Sequence, residues 1–170
     1  MIKTYLALGS NLGDRLLMLL AALTRLESPE LKLCRVSRVR ETEPVGLREQ
    51  PRFLNQVAEF ETSLSPVALL ERAQRVEREM GRIRTVLNGP RTIDIDILLY
   101  GDQVVQDPGL ELPHPRFRDR RFVLEPLAEL NPGLNDPVTG KPVSELLSGL
   151  DAGSSQEPPG RLWETSSSLT

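Results

Sequence analysis

The chain has 170 residues, a net charge of −3, and 39% apolar against 26% charged content, the make-up of one soluble globular domain. No segment reaches the roughly 20 apolar residues of a membrane span. The early apolar stretch at 16–23 follows Asp14 and Arg15 rather than a basic leader, so a cytoplasmic location without membrane contact is expected, and a monomer is expected separately. The negative balance offers no field for nucleic acid, and a single cysteine, Cys34, excludes an internal disulfide framework. With His114 as the only histidine, a Cys/His zinc site is excluded too; a bound metal would be held by carboxylates and so be hard, Mg²⁺, Mn²⁺ or Ca²⁺.

Residues 2–8 read as a strand entering a turn at Gly9-Ser10-Asn11. Asp14 caps a helix over 14–27, whose leucines recur at helical spacing. Alternation predicts a strand over 31–39, and two prolines and a glycine make 41–51 a long loop. Residues 53–62 form another strand. Ser65-Pro66 opens a helix that runs to about Met80. After a second long loop, 81–92, comes the clearest strand, 93–100, then a turn at Gly101-Asp102 and a short strand at 103–106. Residues 107–119 look irregular, while 121–130 and 142–150 look helical. The order β-α-β-β-α-β predicts an α+β, ferredoxin-like sandwich, an antiparallel sheet with helices over one face. The domain is expected to end near residue 150. The tail 151–170 is rich in Ser, Pro and Gly and should be flexible or loosely docked, with Trp163 as a candidate anchor.

Three constellations could carry chemistry. In Ile93-Asp94-Ile95-Asp96-Ile97 the strand period puts both aspartates on one face, roughly 6–7 Å apart. That is too far to share a proton but suits two carboxylates on a metal pair. Alone, the pair reads more simply as the polar face of a half-exposed strand. The flanks tip the balance, because Arg82, Arg84 and Arg91 lie in the loop that leads into it. Of 21 basic residues only Lys3, Lys32 and Lys141 are lysine, and arginine forks match phosphate oxygens, although base composition alone could produce such a bias. Carboxylates for metal beside guanidinium groups are what a polyphosphate requires. No Walker-type or G-x-G-x-x-G loop is present, so side chains and metal must build the phosphate site. A second basic cluster, Arg116, Arg118, Arg120 and Arg121, follows His114. His114 is either a loop histidine packed between Pro113 and Pro115 or a donor to a phosphate oxygen. Phe53 and Asn55 share a strand face; they are either core and satisfied amide, or a platform and a polar reader for a flat heterocycle.

The segments Ala7-Leu8-Gly9-Ser10-Asn11-Leu12-Gly13, Thr42-Glu43-Pro44-Val45-Gly46, Gln50-Pro51-Arg52-Phe53-Leu54-Asn55, Gly81-Arg82-Ile83-Arg84, Gly89-Pro90-Arg91-Thr92-Ile93-Asp94-Ile95-Asp96 and Leu112-Pro113-His114-Pro115 together resemble the 6-hydroxymethyl-7,8-dihydropterin pyrophosphokinase family. The resemblance covers residues 1 to about 148. It implies transfer of the β,γ-pyrophosphoryl unit of ATP to a pterin hydroxymethyl group, with release of AMP and with two Mg²⁺ ions. It further implies that Asp94 and Asp96 ligate both ions and that Arg82 and Arg91 stabilise the transferring group. Gln74, Glu77, Arg84, His114 and Arg120 would line the ATP site. Asn55 would read the pterin edge, with Phe53 and Phe122 on either side of the ring and backbone groups of Thr42, Pro44 and Val45 nearby. Two positions depart from the family pattern. Leu87 and Asn88 stand where a basic residue and an aromatic ring are usual, and Phe53 stands where tyrosine is frequent.

Overall fold

The computed structural model describes residues 1–44, 49–81, 92–152 and 160–163. Its centre is β1 (Ile2–Ser10), a nine-residue strand buried along most of its length. On one side β1 pairs with β5 (Asp94–Tyr100), on the other with β4 (Phe53–Thr62). The ten-residue β4 outlasts its neighbours. Its C-terminal half pairs with β2 (Leu31–Val36) and its first residues with β3 (Arg40–Thr42). Every pairing in this sheet is antiparallel, in the order β5-β1-β4-β3-β8, where β8 is Arg161–Leu162.

The strand expected over 31–39 ends at Val36, and a separate strand, β3, starts at Arg40. Ser37 separates them: its hydroxyl accepts from the Val57 amide at 3.0 Å, and its carbonyl accepts from the Gln56 side chain at 2.8 Å. A side chain thus takes over a ladder bond, and the chain re-enters the sheet as β3. The loop expected over 41–51 therefore begins later, since Glu41 and Thr42 belong to β3.

Helix α1 (Arg15–Leu26) starts as expected, with Asp14 accepting from the Leu17 amide at 3.1 Å. Helix α2 (Pro66–Glu79) is capped by Ser65, with proline in its first turn. Both lie on one face of the sheet, where Leu19, Ala22, Leu26, Leu69, Ala73 and Val76 meet Leu6, Leu8, Leu54, Phe60 and Ile95. Each fully buried leucine there contributes about 2 kcal/mol.

The opposite face is covered too, which corrects the expectation of helices on one face. Tyr5, Val57, Leu98 and Leu99 form an apolar patch there that water would penalise. It is sealed by a 3-10 turn (Phe117–Asp119), by α3 (Arg121–Leu130) and by α4 (Val143–Ala152). Pairing between β1 and β5 shifts register near Leu98, so Leu98 and Leu99 both reach this second core. The short strand expected over 103–106 appears as β6 (Val105–Asp107), and the segment expected to be irregular returns it as a hairpin through β7 (Leu110–Leu112), turning at Pro108-Gly109 with Gly109 at φ +82°.

The result is an α+β, ferredoxin-like sandwich. Helix α4 runs two residues past the expected domain end, and residues 160–163 of the tail are docked on the sheet edge. No helix among the described residues is long and apolar enough to cross a membrane.

Candidate active site

Antiparallel pairing puts directly opposed residues on the same face, so the register assembles the site. Gly9 faces Asp94 on one side and Asn55 on the other; Ala7 faces Asp96 and Val57. One row across the sheet is therefore Asp94, Gly9, Asn55 and Arg40, and Thr42 opposite Phe53 follows beside it. Gly9 has to be small. A Cβ there would lie 3.0 Å from Asn55 Oδ1 and 3.5 Å from the Phe53 ring. The glycine lets both side chains lie over the sheet, which explains part of the Gly9-Ser10-Asn11 motif.

These residues wall a cleft at the end of the sheet. Asp94, Asp96, Thr42, Phe53, Asn55 and Phe122 line it together with Arg120. Phe122 comes from the first turn of α3, and the Arg120 guanidinium lies 5.6 Å from its ring centroid. The Asn55 amide donates to the Thr42 hydroxyl, which leaves Oδ1 facing the space above Gly9. Two aromatic rings with an oriented carboxamide between charged groups can hold a flat, polar heterocycle. For Phe53 and Asn55, this geometry favours the platform over the simple core assignment.

A second, wider cleft opens beyond the edge of β5, lined by Leu70 of α2, Asp107, Glu111, His114 and again Asp96. Asp96 therefore borders both spaces, while Asp94 borders the first alone. Both aspartates are half-buried, with Ile95 and Ile97 turned into the core. Among the described residues no group of three or more His, Cys, Asp or Glu could hold a metal. A hard cation at Asp94 and Asp96 would have to complete its oxygen shell from water and a ligand.

His114 is anchored by its amide, which donates to the Leu98 carbonyl at 2.9 Å at the register shift. Burial first, then the charges of Arg120 and Arg116, bring its imidazole down to about 4 against the opposing charge of Asp94. The ring is thus neutral near pH 7. Its Nδ1 accepts from the Arg116 amide at 3.1 Å, so Nε2 carries the proton and is the donor.

Other expected residues fall elsewhere. On α2, Gln74 is exposed and Glu77 is 4% exposed, and neither lines either cleft. Pro44 is buried beside the cleft without lining it. Arg82, Arg84, Arg91 and Val45 lie outside the described residues. Of the second basic cluster, Arg116 and Arg120 border the first cleft, whereas Arg118 is bound to buried Asp136 and Arg121 to Glu125 and Asp151. Sequence reasoning missed Glu43, which lines the first cleft and pairs with Arg52 at 2.9 Å. Strand alternation would place Glu43 on the face opposite Thr42, so the sequence carried no signal for it; the chain leaving β3 after Thr42 brings it to the cleft.

Comparison with known proteins bears on the family and the fold. Residues 5–132 match the family described as 7,8-dihydro-6-hydroxymethylpterin-pyrophosphokinase. The chain is 45% identical over 146 residues to the 2-amino-4-hydroxy-6-hydroxymethyldihydropteridine pyrophosphokinase of Pseudomonas aeruginosa, covering 85% of this chain and 90% of that one. It is 46% identical over 147 residues to the folic acid synthesis protein fol1 of Schizosaccharomyces pombe, covering 86% of this chain. The chain spans only about a fifth of the length of the two fungal folic acid synthesis proteins it matches, 20% and 19%. The fold matches the crystal structure of Plasmodium falciparum HPPK-DHPS wild type with pteroate at TM-score 0.70 and 16% identity, over 89% of this chain and 42% of that one.

Proposed function

The chain belongs to the 7,8-dihydro-6-hydroxymethylpterin-pyrophosphokinase family, and from that premise we propose that it moves the β,γ-pyrophosphoryl group of ATP onto 6-hydroxymethyl-7,8-dihydropterin, giving AMP and the pterin diphosphate for folate synthesis. The observation that carries this reading is the position of Asp96, on a face shared with Asp94 and at the border of two clefts. One cleft has the rings and carboxamide suited to a pterin. The other has the histidine donor and the open volume suited to a nucleotide. The transferring group would lie between them.

In this reading Phe53 and Phe122 hold the pterin ring, and Asn55 Oδ1 accepts from its N–H edge while Thr42 fixes the amide. Thr42, Pro44 and Val45 contribute backbone groups. His114 Nε2 and Arg120 donate to phosphate oxygens. Gln74 and Glu77, which line neither described cleft, and Arg84 would bear on the nucleotide side. Asp94 and Asp96 would hold two Mg²⁺ ions, which neutralise phosphate oxygens when bound. Each aspartate supplies only part of an octahedral shell, so the ions and the nucleotide should bind together. Arg82 and Arg91 supply charge to the group in transit. In-line transfer of this kind depends on positioning and charge neutralisation, and needs no strong base.

The direct test is AMP formation from MgATP with and without the hydroxymethyl-dihydropterin. AMP release that requires the pterin supports the reading; pterin-independent release, or none, rejects it. Arg82→Ala and Arg91→Ala should each lower kcat about a hundredfold, with smaller effects on KM, because their charge matters most in the transition state. Steady-state kinetics in which both variants change KM alone would remove them from that role.

A further inference from the structure

Residues 160–163 reach the pterin side of the site. Strand β8 extends the sheet beyond β3, with Leu162 opposite Arg40 and Arg161 opposite Glu41, and the Trp163 amide donates to the Val39 carbonyl at 2.8 Å. Gly160 lies directly against Thr42. A Cβ there would be 3.2 Å from Thr42 Cγ2 and 3.3 Å from Arg40 Cβ. Thr42 is the residue whose hydroxyl accepts from Asn55.

A second link runs through side chains. The Arg15 guanidinium lies 5.1 Å from the Trp163 ring centroid. It pairs with Glu41 at 2.8 Å and donates to the Arg52 carbonyl at 2.9 Å. Arg52 reaches Glu41 at 3.7 Å and Glu43 at 2.9 Å. Arg15 thus joins α1, β3, the residue before β4 and the tail. Just inside this junction sits the Thr42–Phe53 pair, one wall of the first cleft.

We propose that Trp163 and Gly160 are positioning residues for the pterin subsite: the docked tail clamps the ends of β3 and β4 so that Thr42, Phe53 and Asn55 hold their places. This rests on the functional reading above. Neither residue touches the cleft, and both act through Arg15, Glu41 and Thr42. Motif positions alone, which end before residue 149, predict that removing 151–170 leaves turnover largely intact; the docked strand adds an expected loss of pterin affinity.

The test uses the full chain. Trp163→Ala removes the ring over Arg15, an interaction whose strength translates to a three- to tenfold rise in pterin KM, roughly. Trp163→Phe should restore part of it. Gly160→Val should raise pterin KM as well, by displacing Thr42. KM for ATP and kcat should stay near those of the parent in all three, and thermal midpoints should move little, since Trp163 is 38% exposed. Pterin KM equal to the parent's in both Trp163→Ala and Gly160→Val overturns the clamp while leaving the catalytic reading intact. A rise in both substrates' KM together with a large drop in midpoint overturns it as well, by showing a global effect. A parent that makes no pterin-dependent AMP overturns the functional reading instead.

Discussion

Asp94→Ala and Asp96→Ala should each abolish AMP formation in a protein that remains folded. Both carboxylates stand at the start of β5, on its half-buried face, and the strand is held by backbone pairing to β1 and by Ile95 and Ile97 beneath. Removing either side chain opens no hole in the core, so circular dichroism and the thermal midpoint should change little. In the proposed reading, removing a ligand to both metals would leave phosphate charge uncompensated where it is greatest. A loss of several kcal/mol of transition-state stabilisation corresponds to about a thousandfold or more in rate. The two variants should still differ. Asp96 borders both clefts, so its loss should weaken Mg²⁺-nucleotide binding as well as transfer, whereas Asp94→Ala should weaken it less. Near-parental turnover with Mg²⁺ in either variant would end the proposal for that residue.

Sequence pattern located the elements wherever local rules agreed with tertiary packing. Strand 53–62 and helix 121–130 match the structure residue for residue, and the caps at Asp14 and Ser65 lie where expected. Pattern failed where the cause was non-local. The break at Ser37 depends on Val57 and Gln56, about twenty residues away, and no alternation in 31–39 encodes it. Strands β3 and β8 are too short to carry a period; they exist because each pairs with a neighbour already in place. The second layer of helices follows from Tyr5, Val57, Leu98 and Leu99 sharing a face, which depends on a register shift invisible before pairing. The site shows the same division. The motifs brought Asp94, Asp96, Asn55, Phe53 and His114 to attention, but that Asp96, alone among the described residues, borders both clefts needed the fold.

Asp136→Ala should be the most damaging substitution outside the site. Asp136 is fully buried, and its carboxylate gathers four donors: Arg118 Nε at 2.5 Å, Arg118 Nη2 at 2.8 Å, the Thr139 hydroxyl at 2.7 Å and the Val138 amide at 3.0 Å. Burial alone would raise its pKa, but Arg118 and the two neighbouring donors outweigh burial and hold it at about 2, below its ordinary 3.8. Truncation removes the acceptor and leaves the guanidinium and two inward-facing donors without it, at a cost of about 3 kcal/mol. For a chain of this size that is a fall in thermal midpoint of roughly 6–12 °C. The pH dependence has a definite sign. The native carboxyl binds its proton less readily than the unfolded one, so its contribution is fully present above pH 4 and disappears as pH falls towards 2. Integrated over that window it amounts to roughly 2 kcal/mol. Asp136→Asn, which keeps the shape but cannot titrate, should flatten this part of the acid limb. The same pair fixes the 3-10 turn, because Arg118 also lies 4.7 Å from the buried Phe117 ring, and Arg116 and Arg120 of the first cleft flank that turn on either side. Urea unfolding of both variants at pH 7 and pH 3 provides the check. An Asp136→Asn protein whose stability falls between those two values as steeply as the parent's would show that other carboxylates, and not Asp136, set the acid limb.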